Sequence, residues 1–431
     1  MNTAEKSVFL IHRSSLKKKI KRIFSAFGPG LITGVSDDDS SGVLTYLQSG
    51  TVFGFKTLWT ALLTLPLMYS IQEMSGRIGY VTDKGLVKVI KEHYSKYILY
   101  FISFISAFVI TVNIAADLLA SGVIFEKLLG FSRFIWIPAI SILIIMLMVF
   151  FSYQKFARVL KWLSFAMIFY VVTVFYIKIN WLMALKATFI PSFSFSKENI
   201  LLITAIIGTT ISPYLFFWQA SEEVEERDDA KVRKSLKKFL VTRNELKILR
   251  EDTFFGMIIS NVVMWFIIAG ASNLANYGVK EIATFDQAAA VLKPILGNFA
   301  FLAFGLGLIG VGFLAIPVLA GSVGYILSEI FDWQEGLNKK FREAKGFYLV
   351  IIIATVLGIA VNFFSKIDPI QLLVYTAVLY TIITPPLIFI IMKIANNKKI
   401  MKGKTSSPAI NILGALTFLI TAFLAVAYLF L

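Results

Sequence analysis

Apolar stretches of about 20 residues recur along the 431-residue chain, and each is long enough for an α-helix to cross a hydrocarbon core of about 30 Å. This spacing constrains the fold more than any other feature, because a backbone in lipid must satisfy its own hydrogen bonds and runs of this length do so as helices. The stretches fall at about 30–50, 56–75, 98–125, 134–152, 159–180, 199–220, 253–272, 297–330, 347–364, 369–393 and 409–430, eleven in all. With 57% hydrophobic and 16% charged residues, a soluble core is not a workable alternative. An all-α integral membrane protein with about eleven transmembrane helices is expected.

Orientation follows from the basic residues, because cytoplasmic loops retain positive charge. A cytoplasmic N-terminus puts 33 of the 42 Lys and Arg in cytoplasmic segments, which supports an odd number of spans and a C-terminus outside. The same distribution accounts for the net charge of +16, so no nucleic-acid partner is expected. Residues 17–22, KKKIKR, are read as resting on anionic headgroups of the plasma (inner) membrane. Residues 1–22 are polar and the first apolar run is already span-length, so no cleavable signal is read there. The absence of cysteine removes disulfides, thiolate ligands and a cysteine nucleophile.

The first span, residues 28–50, carries Asp37-Asp38-Asp39 in its middle, flanked by Ser36 and Ser40. Each ionised carboxylate near a bilayer centre costs roughly 2.5–3.5 kcal/mol, so the run implies a break in the helix and a compensating cation. Five spans later, residues 199–220 are interrupted by Gly208-Thr209-Thr210 and Ser212-Pro213. Gly208 tolerates unusual dihedrals and Pro213 lacks a donor, so both are expected to break that helix. Five spans apart means opposite orientation, and two broken helices at matching places in inverted halves point to a secondary transporter with a midplane site. The expected organisation is a basic cytoplasmic N-terminus (1–26), a first five-helix repeat (27–182), a second inverted repeat (198–393) and an eleventh helix (405–431). The cytoplasmic loop 221–252 opens with Glu222, Glu223, Glu225, Glu226, Asp228 and Asp229, a charged vestibule or gate, and continues as an amphipathic basic segment containing Phe239. Residues 82–95 read as a short interfacial helix.

Several motifs sit at defined spacings. Gly28-Pro29-Gly30 is followed by eight residues and then Asp39-Ser40-Ser41-Gly42. The second broken span carries Thr209-x-x-Ser212-Pro213-Tyr214, the third span Asp117-Leu118-Leu119-Ala120, and the tenth runs from Asp368-Pro369 through Leu372-Leu373-Val374 to Pro385. The pattern resembles that of the Nramp family of proton-coupled divalent metal transporters over nearly the whole chain, in a divergent branch similar to Nramp-related magnesium transporters. The resemblance implies an amino-acid/sodium symporter-like fold and import of Mn²⁺ or Fe²⁺ by alternating access. It places the ligand aspartate at Asp39 and makes Asp117 a candidate proton-route acid.

The departures from the family pattern bear on the chemistry. The ligand asparagine becomes Gly42, the methionine becomes Ser212, the histidine becomes Tyr214, and the helix-nine arginine has no counterpart, since 347–365 contains no basic residue. Loss of the soft thioether leaves carboxylates, hydroxyls and carbonyls, a hard-oxygen set suited to Mg²⁺ or Mn²⁺. The expected metal site comprises Asp38, Asp39, Ser212 and the position of Gly42, with Ser36 and Thr209 entering mainly through main-chain carbonyls. Asp37, Asp117 and Tyr214 are assigned to the proton route or vestibule. Tyr in place of His removes the group that titrates near neutral pH, which points to weak or absent proton coupling, although Asp37 and Asp38 are further acids able to carry protons. Gln72 and Glu73 read as interfacial, Asn113 and Asn362 as interhelical hydrogen bonders, and Phe216, Phe217 and Trp218 as lipid-facing or interfacial.

No tightly bound cofactor and no obligatory protein partner is expected beyond the ion, protons and the bilayer. His12 and His93 both fall in cytoplasmic segments, and no nucleophile pairing or phosphate loop appears, so an enzyme is not expected. Two other readings stay open: a cation-coupled amino-acid or amine symporter on the same fold, which three aspartates disfavour by repelling a carboxylate, and a non-transporting metal sensor.

Overall fold

The computed structural model describes residues 28–150, 168–177, 179–233, 241–274, 278–364 and 366–430; the basic run at 17–22, the 155–161 segment and Phe239 lie outside them. Among the described residues the chain forms helices and no strands. The first span is two helices, α1 (Pro29–Asp37) and α2 (Ser40–Phe53), separated by Asp38 and Asp39. There follow α3 (Trp59–Thr82), α4 (Leu86–His93), α5 (Lys96–Leu129), α6 (Arg133–Phe150), α7 (Ile168–Tyr176) and α8 (Trp181–Phe189). The second broken span is α9 (Lys197–Thr210) and α10 (Pro213–Arg233). The remaining long helices are α11 (Arg243–Ala271), α12 (Ala300–Phe331), α13 (Lys345–Phe364), α14 (Pro369–Asn396) and α15 (Pro408–Leu429). Among the described residues eight helices are long and apolar enough to cross a membrane, counting α9–α10 as one. The broken α1–α2, α3 and α7 occupy the other three expected positions.

α1 lies with its backbone against α11. A Cβ on Gly30 would sit 2.6 Å from the Thr253 backbone, and one on Gly34 would sit 2.2 Å from the Gly256 carbonyl. Small residues spaced this way let two helices approach until main chains touch, the packing that replaces the hydrophobic drive inside lipid. The start of α1 has no side-chain cap of its own; Asp252 of α11 supplies one, accepting from the amides of Gly28 (3.2 Å), Gly30 (2.8 Å) and Leu31 (3.3 Å). This end of the bundle, here the Gly28 face, also holds α4 and the ends of α3, α10 and α12.

The structure corrects four expectations about individual segments. The 221–252 region is not one long loop: α10 continues to Arg233 and α11 begins at Arg243, because the Thr242–Glu245 capping box starts the helix ten residues before the apolar run. Glu225 of α10 accepts from the amides of Leu337 (2.9 Å) and Asn338 (3.1 Å), pinning the turn after α12. Phe216, Phe217 and Trp218 are buried in the protein, Trp218 packing on Tyr325 and Gly321, rather than facing lipid. Gln72 and Glu73 are likewise buried; Glu73 pairs with Arg77 one turn on and with Arg250 of α11 at 3.1 Å. Finally, Gly208 lies inside α9, and its missing side chain admits Ala377 of α14, whose carbonyl would stand 1.9 Å from a Cβ. The break itself falls at Ile211–Ser212, with Pro213 starting α10, where its lack of a donor costs nothing.

The short helix at 82–95 forms as α4, but Leu86, Val89 and Ile90 are buried against the protein. Glu329 of α12 receives the Lys88 amide at 2.7 Å, fixing its first turn. Asn362 of α13 donates to the Ala115 carbonyl at 2.8 Å, the interhelical bond its place in an apolar span suggested.

Candidate functional site

The two broken spans meet at their breaks. Tyr214, in the first turn of α10, donates its hydroxyl to the Ser36 carbonyl in the last turn of α1 at 2.9 Å. Ser212 turns back on its own span and donates to the Thr209 carbonyl at 2.6 Å and the Gly208 carbonyl at 3.1 Å. Both main-chain carbonyls expected to face an ion are therefore hydrogen-bonded by side chains across or within the breaks. The Thr209 hydroxyl lies 3.3 Å from that of Ser41, and a Cβ on Gly42 would stand 3.1 Å from it. Gly42 thus allows α2 and α9 to touch, a role unrelated to supplying a ligand.

The three aspartates divide into two groups. Asp39 is the N-cap of α2: its Oδ1 accepts from the Gly42 amide (2.8 Å) and the Ser41 hydroxyl (2.6 Å), satisfying donors that a helix start leaves free. Its Oδ2 accepts from the Asn113 amide of α5 at 2.7 Å. Asp37 and Asp38 turn the other way, toward α11, and share the Ser260 hydroxyl, at 2.7 Å from Asp37 and 3.4 Å from Asp38. All three are buried, and Asp37 Oδ1 and the Ser36 hydroxyl have no hydrogen-bond partner among the described residues. Asp117 is also buried, with neither carboxylate oxygen hydrogen-bonded.

The expected site residues therefore share one region, but the carboxylates do not converge in this conformation. Among the described residues no three His, Cys, Asp or Glu side chains stand together as a metal cage. Asp37 keeps one carboxylate oxygen without a donor, while the oxygens of Asp39 are engaged in capping and in the bond from Asn113. Ser260 was not among the expected site residues. Its signal was present in the sequence, since Ser260-Asn261 is a polar pair inside an apolar run, and Asn261 proves to bridge α11 to Thr64 of α3 at 2.6 Å. Nothing local, however, aims Ser260 at Asp37 and Asp38.

On the side opposite the Gly28 face, a cavity of about 400 Å³ is lined by Gln48, Glu198, Glu281, Asp368 and Gln371 among others. The Gln48 side chain accepts the Ile282 amide at 2.9 Å, joining the end of α2 to the segment before α12.

Comparison with known proteins agrees with this architecture. The manganese transporter of Eremococcus coleocola superposes with a TM-score of 0.71 at 16% identity, covering 95% of this chain and 87% of that one. Mhp1, a nucleobase-cation-symport-1 family transporter, in a closed conformation, gives 0.58 at 13% identity over 94% of this chain and 90% of that one. At these identities the likeness establishes the fold: a five-plus-five inverted repeat with broken first and sixth spans. The family model for natural resistance-associated macrophage protein-like (Nramp) proteins matches residues 30–431. The chain belongs to the Nramp family, in the form of a multi-pass, all-helical membrane transporter.

Proposed function

We propose that this protein carries divalent metal cations across the membrane by alternating access, and that its cargo is a hard ion, Mg²⁺ or Mn²⁺. The observation that carries the reading is the buried pair Asp37 and Asp38 at the helix break, where Asp37 Oδ1 and the Ser36 hydroxyl lack partners. Two buried carboxylates without a basic counterpart need a cation, and one of charge two balances them. The donors around them are carboxylate, hydroxyl and carbonyl oxygens, with no sulfur or imidazole, which favours hard ions over softer transition metals. Family membership and the likeness to a manganese transporter support a divalent cargo, and the hard donors move the preference within that class.

In this reading Asp37 and Asp38 bind the ion, Ser260 orients them, and Asp39 holds the start of α2. The Ser36 and Thr209 carbonyls become ligands when Tyr214 and Ser212 release them. The Gly28 face is taken as cytoplasmic, consistent with its basic segments, and the cavity beside Glu198, Glu281 and Asp368 as the opposite entrance. Uptake of Mg²⁺, Mn²⁺ and Ca²⁺ into proteoliposomes tests the proposal. Entry of Mg²⁺ or Mn²⁺ that is lost in Asp37→Asn/Asp38→Asn supports it; no entry of any of the three, or normal entry in the double variant, refutes it.

A further inference from the structure

A second group of buried oxygens lies beside the divalent site and is not used by it. Asn113, Asp117 and Ser121 are four residues apart on α5 and so form one stripe of that helix, and all three are fully buried. Asn113 gives its amide nitrogen to Asp39. Neither oxygen of Asp117 accepts a hydrogen bond, and the hydroxyls of Ser121 and of Ser40, at the start of α2, have no partner either. Ser40 faces the Asp117 carboxylate with its amide and hydroxyl, near it but outside ordinary hydrogen-bond geometry.

Two of these groups, the hydroxyls of Ser121 and Ser40, border Gly312 of α12. A Cβ built there would lie 3.0 Å from the Ser121 hydroxyl and 3.6 Å from the Ser40 hydroxyl, with no other neighbour within 4 Å beyond its own helix. Two hydroxyl oxygens thus face the bare Cα of Gly312, one helical turn from Asp117, where a methyl would fit only by pressing on Ser121. Among the described residues no Lys, Arg or His pairs with Asp117. A buried charge of this kind is kept only with a counter-charge.

We propose that Asp117, Ser121 and Ser40, beside Gly312, form a seat for one monovalent cation of the Na⁺ class. The charge count selects it: one carboxylate among neutral oxygens balances a single positive charge, whereas a divalent ion would leave an excess charge in a low-dielectric interior. The donors are all hard oxygens, as an alkali ion requires. An ion here ties the first residue of α2 to α5 and α12, and the chain Asp117, Asn113, Asp39 links it to the break that holds the divalent site. Occupancy of the two sites is therefore coupled.

The test uses the purified full-length protein, whose seven tryptophans report unfolding. Melting is followed in NaCl, KCl and choline chloride at equal ionic strength, and Mn²⁺ uptake by the reconstituted protein is measured in the same salts. Na⁺ is expected to raise the midpoint by roughly 2–4 °C over choline and to speed uptake about fivefold or more. Both responses should vanish in Asp117→Asn and in Gly312→Ala, whose methyl presses on Ser121 without changing charge. Ser194→Ala, an exposed residue in the segment before α9, should keep them. Equal midpoints in all three salts, or a Na⁺ response that survives both variants, overturns the seat; so does acidification of the lumen during uptake with no salt response, which assigns Asp117 a proton instead. If a variant does not fold, Ser121→Ala takes its place. Failure of Mn²⁺ and Mg²⁺ to enter in every salt counts against the transport reading, while the melting comparison still decides the seat.

Discussion

The hydroxyl of Tyr214 and the carbonyl of Ser36, 178 residues apart in sequence, form a 2.9 Å hydrogen bond that joins the two broken spans at their breaks. An ion entering between α1 and α10 must compete with that hydroxyl for the carbonyl. Tyr214→Phe is expected to free the Ser36 carbonyl for the ion while removing one buried hydrogen bond, a stability cost of about 1–3 kcal/mol. A lower KM for Mn²⁺ together with a lower melting midpoint is the expected pair of results. A raised KM would mean that the hydroxyl helps to hold the ion.

Asp252 holds the start of α1 by accepting three of its amides. Replacing a helix cap by alanine costs about 0.5–2 kcal/mol, so in Asp252→Ala the α1 end should open more often on the Gly28 face. The cysteine-free chain permits a clean measurement: Thr33→Cys, at a buried position of α1, should react faster with a maleimide in the Asp252→Ala background. Equal labelling rates would show that the glycine contacts alone hold α1 in place.

Those contacts can be tested separately. A methyl on Gly34 would enter the Gly256 carbonyl at 2.2 Å, and neither backbone can yield without moving its helix. Gly34→Ala is expected to cost about 1–3 kcal/mol by overpacking, visible as a lower melting midpoint and reduced yield in detergent. Gly42→Ala presses on the Thr209 hydroxyl at 3.1 Å and otherwise makes ordinary contacts, with Asp39 and Tyr46 at 3.6 Å, and should be milder. The reverse order of the two midpoints would contradict the packing described for α1 and α11.

Past the end of α12, burial, followed by the charge of Glu329, pushes the Glu335 carboxyl up to about 10. Its ordinary value is about 4.3, so the folded state binds this proton more tightly than the unfolded state. The associated stability is fully present below the unfolded value and is lost progressively as pH rises toward 10. Glu335→Gln needs no proton taken up on folding, so the variant should melt higher than the parent at pH 8 and like it at pH 4. Parallel melting curves at both pH values would rule this out.

Much of the architecture was legible in the sequence because hydropathy and breaker chemistry act locally. The spans follow from runs of apolar residues, and the breaks follow from Asp37-Asp38-Asp39 and Ser212-Pro213, which appear where the helices stop. The candidate site was legible as a location but not as an arrangement. Three adjacent aspartates look equivalent in sequence, yet at a helix break successive residues take unlike backbone angles: Asp38 ends α1 at ψ 65° and Asp39 starts α2 at ψ −177°. That change of direction turns Asp39 toward Asn113 and leaves Asp37 and Asp38 on Ser260.

By itself, then, the sequence determined that the chain spans a membrane, where its helices break and that acids sit at the break, since each depends on residues within one turn or one span. Tertiary structure alone decided which apolar side chains face protein rather than lipid, as with Phe216, Phe217 and Trp218, and which hydroxyls meet which carboxylates. The reason is physical: to an apolar side chain, lipid tails and protein interior are nearly the same solvent, so hydropathy cannot separate them. Only the packing of α3 and α12 around α10, and of α11 and α5 around the first broken span, does so.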